Sequence, residues 1–428
     1  EVKLIYIDPP YYFKNKTNDS FGYNSNFKLS TWLTFMKNRL EVARELLRSD
    51  GTIFVQINDD GQAYLKLLME EIFGVENFIN HITIKVKSSA GFKTVNMGLM
   101  ETSEYIYIFS KSKSNANLKD MFVETSYDKN YNLIVTNPDE DPNDWVFDII
   151  DNLALKEIKL DIFPKEINER IKYELRAKFA LNNPEKVFRY TAINDDAGKE
   201  TLDARIKSLE DDKVHVVETS KGIRYIHKGQ QITFYKIKLR EIDGNQVPSE
   251  QLTNIWTDIR WEGIANEGLI TLKKGKKPER LLKRIFDICT NKNDIVLDFF
   301  LGSGTTCAVA HKMGRQYIGI EQLDYNENDS VVRLKNVVKG DTTGISKSVN
   351  WKGGGEFIYC ELMNYNKEAI DKIQSTKSIE DLIKIWEEIV DHYFLNYDVD
   401  IKRFNDNQDE FKKLNFEEQK KILIEMLN

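Results

Sequence analysis

Short apolar runs alternate along much of this chain with longer stretches of helical periodicity. Leu4-Ile5-Tyr6-Ile7 reads as a buried strand, followed by a helix over Trp32 to Leu47 and a strand from Thr52 to Ile57. A helix around Tyr64 to Ile72 and a strand from Tyr105 to Phe109 complete a first block, and Asp50-Gly51 is a turn that ends a helix and starts a strand. The rhythm returns at Lys277 with a helix through Ile288, a strand over Asp294 to Phe300, an apolar helical stretch from Cys307 to Met313 and a strand over Gln316 to Ile320. Such alternation predicts an α/β fold, Rossmann-like, with a mainly parallel sheet and helices on both faces. One sheet built from both blocks brings Gly302 next to Asp8.

The segment between the blocks departs from this rhythm. It is more charged, with a helix expected over Ile162 to Lys178 and a β-meander over Val214–Val217, Arg224–Ile226 and Ile232–Tyr235, its turns marked by Ser220-Lys221-Gly222 and Gly229. After Tyr325 a polar stretch leads to helices near Ile379 to Phe394 and Glu410 to Leu427. Leu382, Ile385, Trp386, Ile389 and Val390 there form one apolar face, which either packs internally or meets a partner. The expected domains are a catalytic half over 1–114, an inserted mixed α+β domain over 115–256, a second half of the core over 257–330 and a mostly helical region over 331–428.

Composition narrows the class. With 428 residues, of which 41% are hydrophobic and 11% aromatic, the chain can bury a large core and should hold two or three domains. No apolar run approaches a membrane span and no signal pattern opens the chain, so a cytoplasmic protein is expected. Cys289, Cys307 and Cys360 have spacings that suit neither zinc nor a disulfide framework, the five histidines form no cluster, and no metal is expected. The net charge of −7 is concentrated in the stretch from Glu361 onward. Basic clusters lie elsewhere, at Lys85, Lys87, Lys93, Lys111 and Lys113 and again at Lys273, Lys274, Lys276, Lys277, Arg280, Lys283 and Arg284. Phosphate contacts need a local positive surface rather than a positive whole, although a single lysine is more often a solvated one.

The chemistry is concentrated at the ends of two strands. Asp8-Pro9-Pro10-Tyr11 follows the first, at the carboxyl edge where open α/β sheets keep their sites. An exocyclic amine is a poor nucleophile because its lone pair is delocalised into the ring. The Asp8 carboxylate and the Pro9 carbonyl can accept its two N–H bonds, and each proline offers a carbonyl without a competing donor. Tyr11 can stack on a base withdrawn from its helix. Alone, the tetrapeptide also reads as a strand that ends in a Pro-Pro turn.

The second strand runs through Asp298-Phe299-Phe300 into Leu301-Gly302-Ser303-Gly304-Thr305-Thr306, a glycine turn at a helix start. Glycines allow close backbone approach, and the unpaired N–H groups of a helix start favour a carboxylate or another anion. Glu321, at the end of the next strand, can take the two hydroxyls of a ribose. Alone this turn is equally a structural one, and the incomplete GxGxxG disfavours NAD.

Together the motifs resemble the amino-methyltransferases of DNA, which bind S-adenosylmethionine at an FxGxG turn and hold the target base with a (D/N/S)PP(Y/F/W) loop. The catalytic motif precedes the cofactor motif, as in the circularly permuted β class, and Asp in the first position resembles the N6-adenine enzymes. Phe21-Gly22-Tyr23, Ser30–Met36, Ser49–Val55, Lys276–Leu282, Gly319–Tyr325 and Trp351–Phe357 are similar to segments of the Mod subunits of type III restriction–modification systems. Tyr12 and Phe13 depart from the Asn-Thr-Gly that many Mod proteins carry there.

The resemblance implies that Asp8, Pro9, Pro10 and Tyr11 hold a flipped adenine, with Phe21 or Tyr23 as a second plate. Asp298, Phe299, Phe300, Gly302, Ser303, Gly304, Thr305, Thr306 and Glu321, with Lys277, would hold S-adenosylmethionine. It further implies double-stranded DNA as substrate, the insert as target-recognition region with Arg189, Arg224, Lys228 and Lys236 as candidate contacts, a homodimer, and a restriction (Res-like) partner. N4-cytosine methylation and a catalytically silent DNA-binding subunit are the alternatives. The chain opens at Glu1 without methionine, so a longer protein is expected, extending before Glu1 and beyond Asn428.

Overall fold

The computed structural model describes residues 1–12, 29–87, 99–154, 168–220, 222–242, 244–271, 275–323, 325–326, 329–361, 365–395 and 399–427. The chain divides into two compact units, Glu1–Glu356 and Phe357–Asn428. The first opens with β1 (Val2–Ile7), α1 (Leu29–Leu46), β2 (Leu47–Ile57), α2 (Asp59–Phe73), β3 (Phe78–Lys85) and β4 (Ser103–Ser110). An inserted stretch follows, with β5 (Phe122–Glu124), β6 (Leu133–Val135), β7 (Phe147–Ile149), α3 (Ile150–Ala154), α4 (Glu169–Asn182), β8 (Val187–Thr191) and α5 (Lys199–Glu210). It continues through β9 (His215–Thr219), β10 (Gly222–His227), β11 (Gln230–Phe234), β12 (Leu239–Ile242) and β13 (Asn245–Gln251). The chain then returns with β14 (Ile255–Trp256), α6 (Glu279–Cys289), β15 (Ile295–Asp298), α7 (Thr305–Lys312), β16 (Gln316–Gly319) and α8 (Ser330–Val338).

The main sheet has the order β14-β3-β4-β2-β1-β15-β16. Pairing is parallel except where β4 meets β2 and β3, so β4 alone runs against the other six strands. The expectation of a mainly parallel sheet therefore holds with one reversed strand. Alternating side chains fill two layers. Ile5, Ile7, Ile53, Val55 and Phe109 face Trp32, Met36 and Leu40 of α1 and Leu65, Met69 and Phe73 of α2. Leu4, Tyr6, Phe54, Ile106 and Val296 face Leu281, Leu282, Ile285 and Phe286 of α6 and Val309 and Ala310 of α7. All six residues of β1 are buried, Lys3 included, because the Lys3 ammonium reaches the Asp50 carboxylate at 2.8 Å.

The topology fixes where a site can form. From β1 the chain steps through α1 to β2 on one side, whereas from β15 it steps through α7 to β16 on the other. The crevice between the carboxyl ends of β1 and β15 is thus a topological switch point, where such sheets bind ligands. Leu4 pairs with Val296 and Ile5 with Leu297, so segments from the two ends of the unit lie on neighbouring strands.

The insert builds a six-stranded sheet, β7-β6-β8-β11-β10-β9, and a three-stranded one, β12-β13-β5. The meander expected over residues 214–235 forms as β9, β10 and β11, all antiparallel. The helix expected from Ile162 is found from Glu169, where the Asn168 side chain accepts from the Arg170 N–H at 2.8 Å; residues 155–167 lie outside the described part. In the second unit, α9 (Tyr365–Ser375), α10 (Ile379–His392), α11 (Ile401–Asp406), α12 (Gln408–Phe411) and α13 (Phe416–Leu427) share a core of their own. Leu382, Trp386 and Ile389 are buried in it and Ile385 and Val390 pack against it, so this apolar face is used internally. No helix among the described residues is long and apolar enough to cross a membrane.

Candidate active site

Asp8 emerges from β1 at the switch point. Its Oδ2 meets the Lys277 ammonium at 2.5 Å, and its Oδ1 accepts from the Tyr11 hydroxyl at 2.8 Å. The Tyr11 hydroxyl also lies 2.9 Å from the Glu104 carboxylate. The Gln56 amide donates to the same carboxylate at 2.5 Å, and the Tyr6 hydroxyl donates to Gln56 at 2.7 Å. A phenol carries one proton, so Tyr11 can donate to only one of these two carboxyl groups at a time. Burial pushes the Asp8 carboxyl above its ordinary range, with the Lys277 ammonium the largest opposing influence. Burial likewise pushes the Tyr6 and Tyr11 hydroxyls far up, with the Asp8 charge adding to both.

The backbone of the motif is tied down from behind. Buried Trp32 on α1 donates its indole N–H to the Pro10 carbonyl at 2.8 Å, and the Asn58 amide donates to the Tyr12 carbonyl at 3.1 Å. Pro9 is buried and Pro10 and Tyr11 are half-buried, so the tetrapeptide is held as a shelf. Phe13, Phe21 and Tyr23 lie outside the described residues.

The glycine turn stands on the adjacent strand. Gly302 has φ of +54°, and a Cβ built there would meet nothing within 4 Å, so open space faces the turn. Gly304 caps α7 at φ of +79° without a side-chain cap, so no capping side chain takes up the first N–H groups of the helix. Glu321 closes the turn from β16. Its Oε2 accepts from the Gly302 N–H at 2.6 Å and its Oε1 from the N–H groups of Gln322 and Leu323 at 2.9 and 2.8 Å. Asp298 accepts from the Phe300 N–H at 3.0 Å and the Thr306 hydroxyl at 2.5 Å, and burial pushes its carboxyl up to about 7. Phe299 and Phe300 pack on the first core layer, and Ser303, Thr305 and Thr306 are buried.

Lys277 was expected with the cofactor residues, and the structure places it between the motifs. Its ammonium is on Asp8, while its backbone carbonyl accepts from the Thr305 hydroxyl at 3.3 Å. Other members of the second basic cluster are engaged internally. Lys276 donates to the carbonyls of Ala265 and Ile270, both at 2.9 Å, and Arg284 pairs with Asp258. Burial lowers the Lys276 ammonium to about 8. Lys93, Lys273 and Lys274 lie outside the described residues.

Glu104, Gln56 and Tyr6 were missed by sequence reasoning. Glu104 sits near the start of β4, and only because that strand is reversed does its beginning reach the carboxyl edge of the others.

The open turn, an uncapped helix start and a carboxylate at the end of the next strand fit a small ligand with an anionic group and a ribose. Gly304 gives the turn a direct test. Its positive φ is strained for any other residue, and an added Cβ would lie 2.8 Å from the Ser330 Cβ and 2.9 Å from its Cα. Gly304→Ala is expected to weaken S-adenosylmethionine binding by at least about tenfold, about 1.4 kcal/mol, by calorimetry. Unchanged affinity would remove the turn from the cofactor site.

Comparison with known proteins assigns the class. Residues 2–330 match the family model described as DNA methylase, and the chain belongs to that family. Along its whole length it is 38% identical to the probable type III restriction–modification enzyme HindVI Mod subunit of Haemophilus influenzae, covering 60% of that protein. It is 27% identical over 78% of its length to the EcoPI Mod subunit of Escherichia phage P1, covering 55% of it. It is also 27% identical, over 75% of its length, to the type II methyltransferase M.EcaI of Enterobacter cloacae, covering 62% of that protein. The chain thus spans about half the length of the Mod subunits it matches.

Proposed function

We propose that this chain is the catalytic part of a site-specific DNA methyltransferase that transfers a methyl group from S-adenosylmethionine to the N6 amine of an extruded adenine. The observation that carries this reading is the juxtaposition of Asp8-Pro9-Pro10-Tyr11 and the Gly302–Gly304 turn on paired strands, with Lys277 touching both. S-adenosylmethionine, when bound, supplies the electrophilic methyl. Its carboxylate would meet the α7 start, and its ribose would meet Glu321. Asp8 and the Pro9 carbonyl accept the two amine hydrogens, which directs the nitrogen lone pair toward the methyl. The Lys277 ammonium favours the ionised Asp8 that this requires. The Tyr11 ring carries the base, its hydroxyl held by Asp8 and Glu104. Positioning and fixed electrostatics then supply the rate, without a covalent enzyme intermediate.

The likeness to Mod subunits supports a modification subunit acting on double-stranded DNA in the cytoplasm, as a homodimer and alongside a Res-like nuclease subunit. Tyr11→Ala removes both ring and hydroxyl, whereas Tyr11→Phe keeps the ring. The expected order of KM for DNA is therefore Ala well above Phe, with Phe near wild type in KM; the reverse order would remove the stacking role.

Long-read modification profiling of a methylation-free host expressing the complete gene, with Asp8→Ala as control, tests the whole reading. N6-methyladenine at one short motif, absent from the control, is the expected result. N4-methylcytosine would change the base, and no mark from protein that binds S-adenosylmethionine would favour a silent binding subunit.

A further inference from the structure

The inserted stretch contains six arginines, and five of them are engaged. Arg170 bonds Glu174 at 3.1 Å, Arg176 bonds Asp151 at 2.5 Å, and Arg189 bonds Asp128 at 3.0 Å. Arg205 reaches the Ile193 carbonyl and Asp195, both at 3.3 Å, and Arg240 donates to the carbonyls of Ile237 and Leu239 at 3.0 and 2.7 Å. Lys228 and Lys236, the lysines singled out with them, pair with Asp212 at 3.0 Å and Glu185 at 2.7 Å. Arg224 is half-buried on β10 and has no acceptor among the described residues. A guanidinium partly withdrawn from water without an acceptor forgoes hydrogen bonds that a ligand can return.

Arg224 lines an open pocket of about 540 Å³ formed where the start of α5 meets the β9–β10 turn. The register places Gln231 on the same sheet face, because Ile226 pairs with Gln231 and Arg224 lies two residues along β10. Asn194, Asp196 and Gly198 complete the rim used here. A phosphate site would be lined by donors of one sign. The polar part of this lining mixes a guanidinium, two carboxamides, a carboxylate and the Thr219 and Ser220 hydroxyls, and the first three kinds of group match guanine, adenine and cytosine edges in the major groove. The floor of the pocket is apolar, since Ile193 and Ala197 line it and pack with Ala204, Val217 and Ile226 in the cluster under α5.

We propose that this pocket reads base edges of the target duplex, with Arg224 donating both arms of its guanidinium to O6 and N7 of a guanine and Gln231 contacting the neighbouring base pair. The inference rests on the chain's being a sequence-specific DNA methyltransferase. The test uses the complete protein and a readout independent of catalysis. Duplexes are enriched from a randomised pool by binding in the presence of S-adenosylhomocysteine, with wild type, Arg224→Ala, Arg224→Lys and Gln231→Ala compared, and each protein is also assayed for methylation. Wild type is expected to enrich a motif containing a guanine. Arg224→Ala should lose preference at that one position by roughly 5- to 150-fold while keeping the others, and Arg224→Lys should not restore it because a lysine cannot form the fork. Gln231→Ala should relax the adjacent position.

An unchanged motif in Arg224→Ala, or a uniform loss across all sequences with a shallower salt dependence, would overturn the proposal, the latter marking a phosphate contact. A wild type that enriches no motif would overturn it as well. A wild type that enriches the motif and shows the Arg224 effect but transfers no methyl group would sustain the pocket while sinking the catalytic reading.

Discussion

Asp8→Ala is expected to lower methyl transfer by about 10²–10⁴-fold, the range over which a positioned proton acceptor contributes, while S-adenosylmethionine affinity changes little. The separation follows from the geometry. The glycine turn takes its shape from Glu321 and from the pairing of β15 with β16, neither of which uses the Asp8 carboxylate. Asp8 instead presents a carboxyl group between Lys277 at 2.5 Å and Tyr11 at 2.8 Å. Asp8→Asn is the gentler control, since an amide oxygen still accepts from Lys277 but is a far weaker proton acceptor.

The pH profile is the second half of the same test. In the proposed mechanism transfer needs ionised Asp8, so the rate is expected to rise with pH as this carboxyl loses its proton. Burial pushes that loss above the ordinary carboxylate range, and the acid limb of kcat should sit there. The Lys277 charge works the other way by favouring ionised Asp8; Lys277→Met therefore moves the limb to higher pH, and Asp8→Asn removes it. Asp8→Ala turnover within tenfold of wild type, or a limb that survives in Asp8→Asn, would place the proton acceptor elsewhere.

Much of the core was legible because its signals are local. The apolar run before Asp8 lies where the pattern put it, and so do the glycine turn and the acid after β16. Asp50-Gly51, by contrast, is not a turn: it lies within β2, which starts at Leu47 directly after α1, at a register shift where Val2 pairs with Leu47 but Leu4 with Thr52. β3 and β14 were not legible. Phe78–Lys85 mixes Asn80, His81 and Lys85 into its apolar positions and leaves several of them exposed, and β14 is two residues long. The reversed direction of β4 is a tertiary fact with no signature in Ser103–Ser110 itself, and it hides Glu104 from any reading that assumes parallel strands. The use of charges was also opaque. Nothing local says that Lys277 points at Asp8 and Lys276 at carbonyls one residue earlier, since the partner of a long cationic side chain is chosen by packing.

The largest expected loss of stability lies beneath the glycine turn. Glu279 at the start of α6 is fully buried. Its carboxylate accepts from Lys312 at 3.1 and 2.8 Å, from Arg333 at 2.8 Å and from the Ile345 N–H at 3.0 Å. Lys312 also reaches Asp341 at 2.6 Å, and Arg333 reaches the Thr305 hydroxyl at 2.7 Å. Two cations and two carboxylates thus balance inside the protein, joining α6, α7, α8 and the segment around residue 341. Glu279→Ala would leave two buried cations sharing one carboxylate, and breaking a buried pair from one side costs about 3–5 kcal/mol.

Because Arg333 bonds Thr305 in the first turn of α7, the loosening should reach the glycine turn. Glu279→Gln should fall between, as it retains hydrogen-bond geometry without the charge. With two compact units a single melting curve mixes transitions, so hydrogen exchange of the α6 and α7 amides is the suitable measure. Faster exchange there, with α10 unchanged, is the expected outcome. Protection equal to wild type in Glu279→Ala would mean that water enters and solvates the cations, and that the network contributes little to holding the turn.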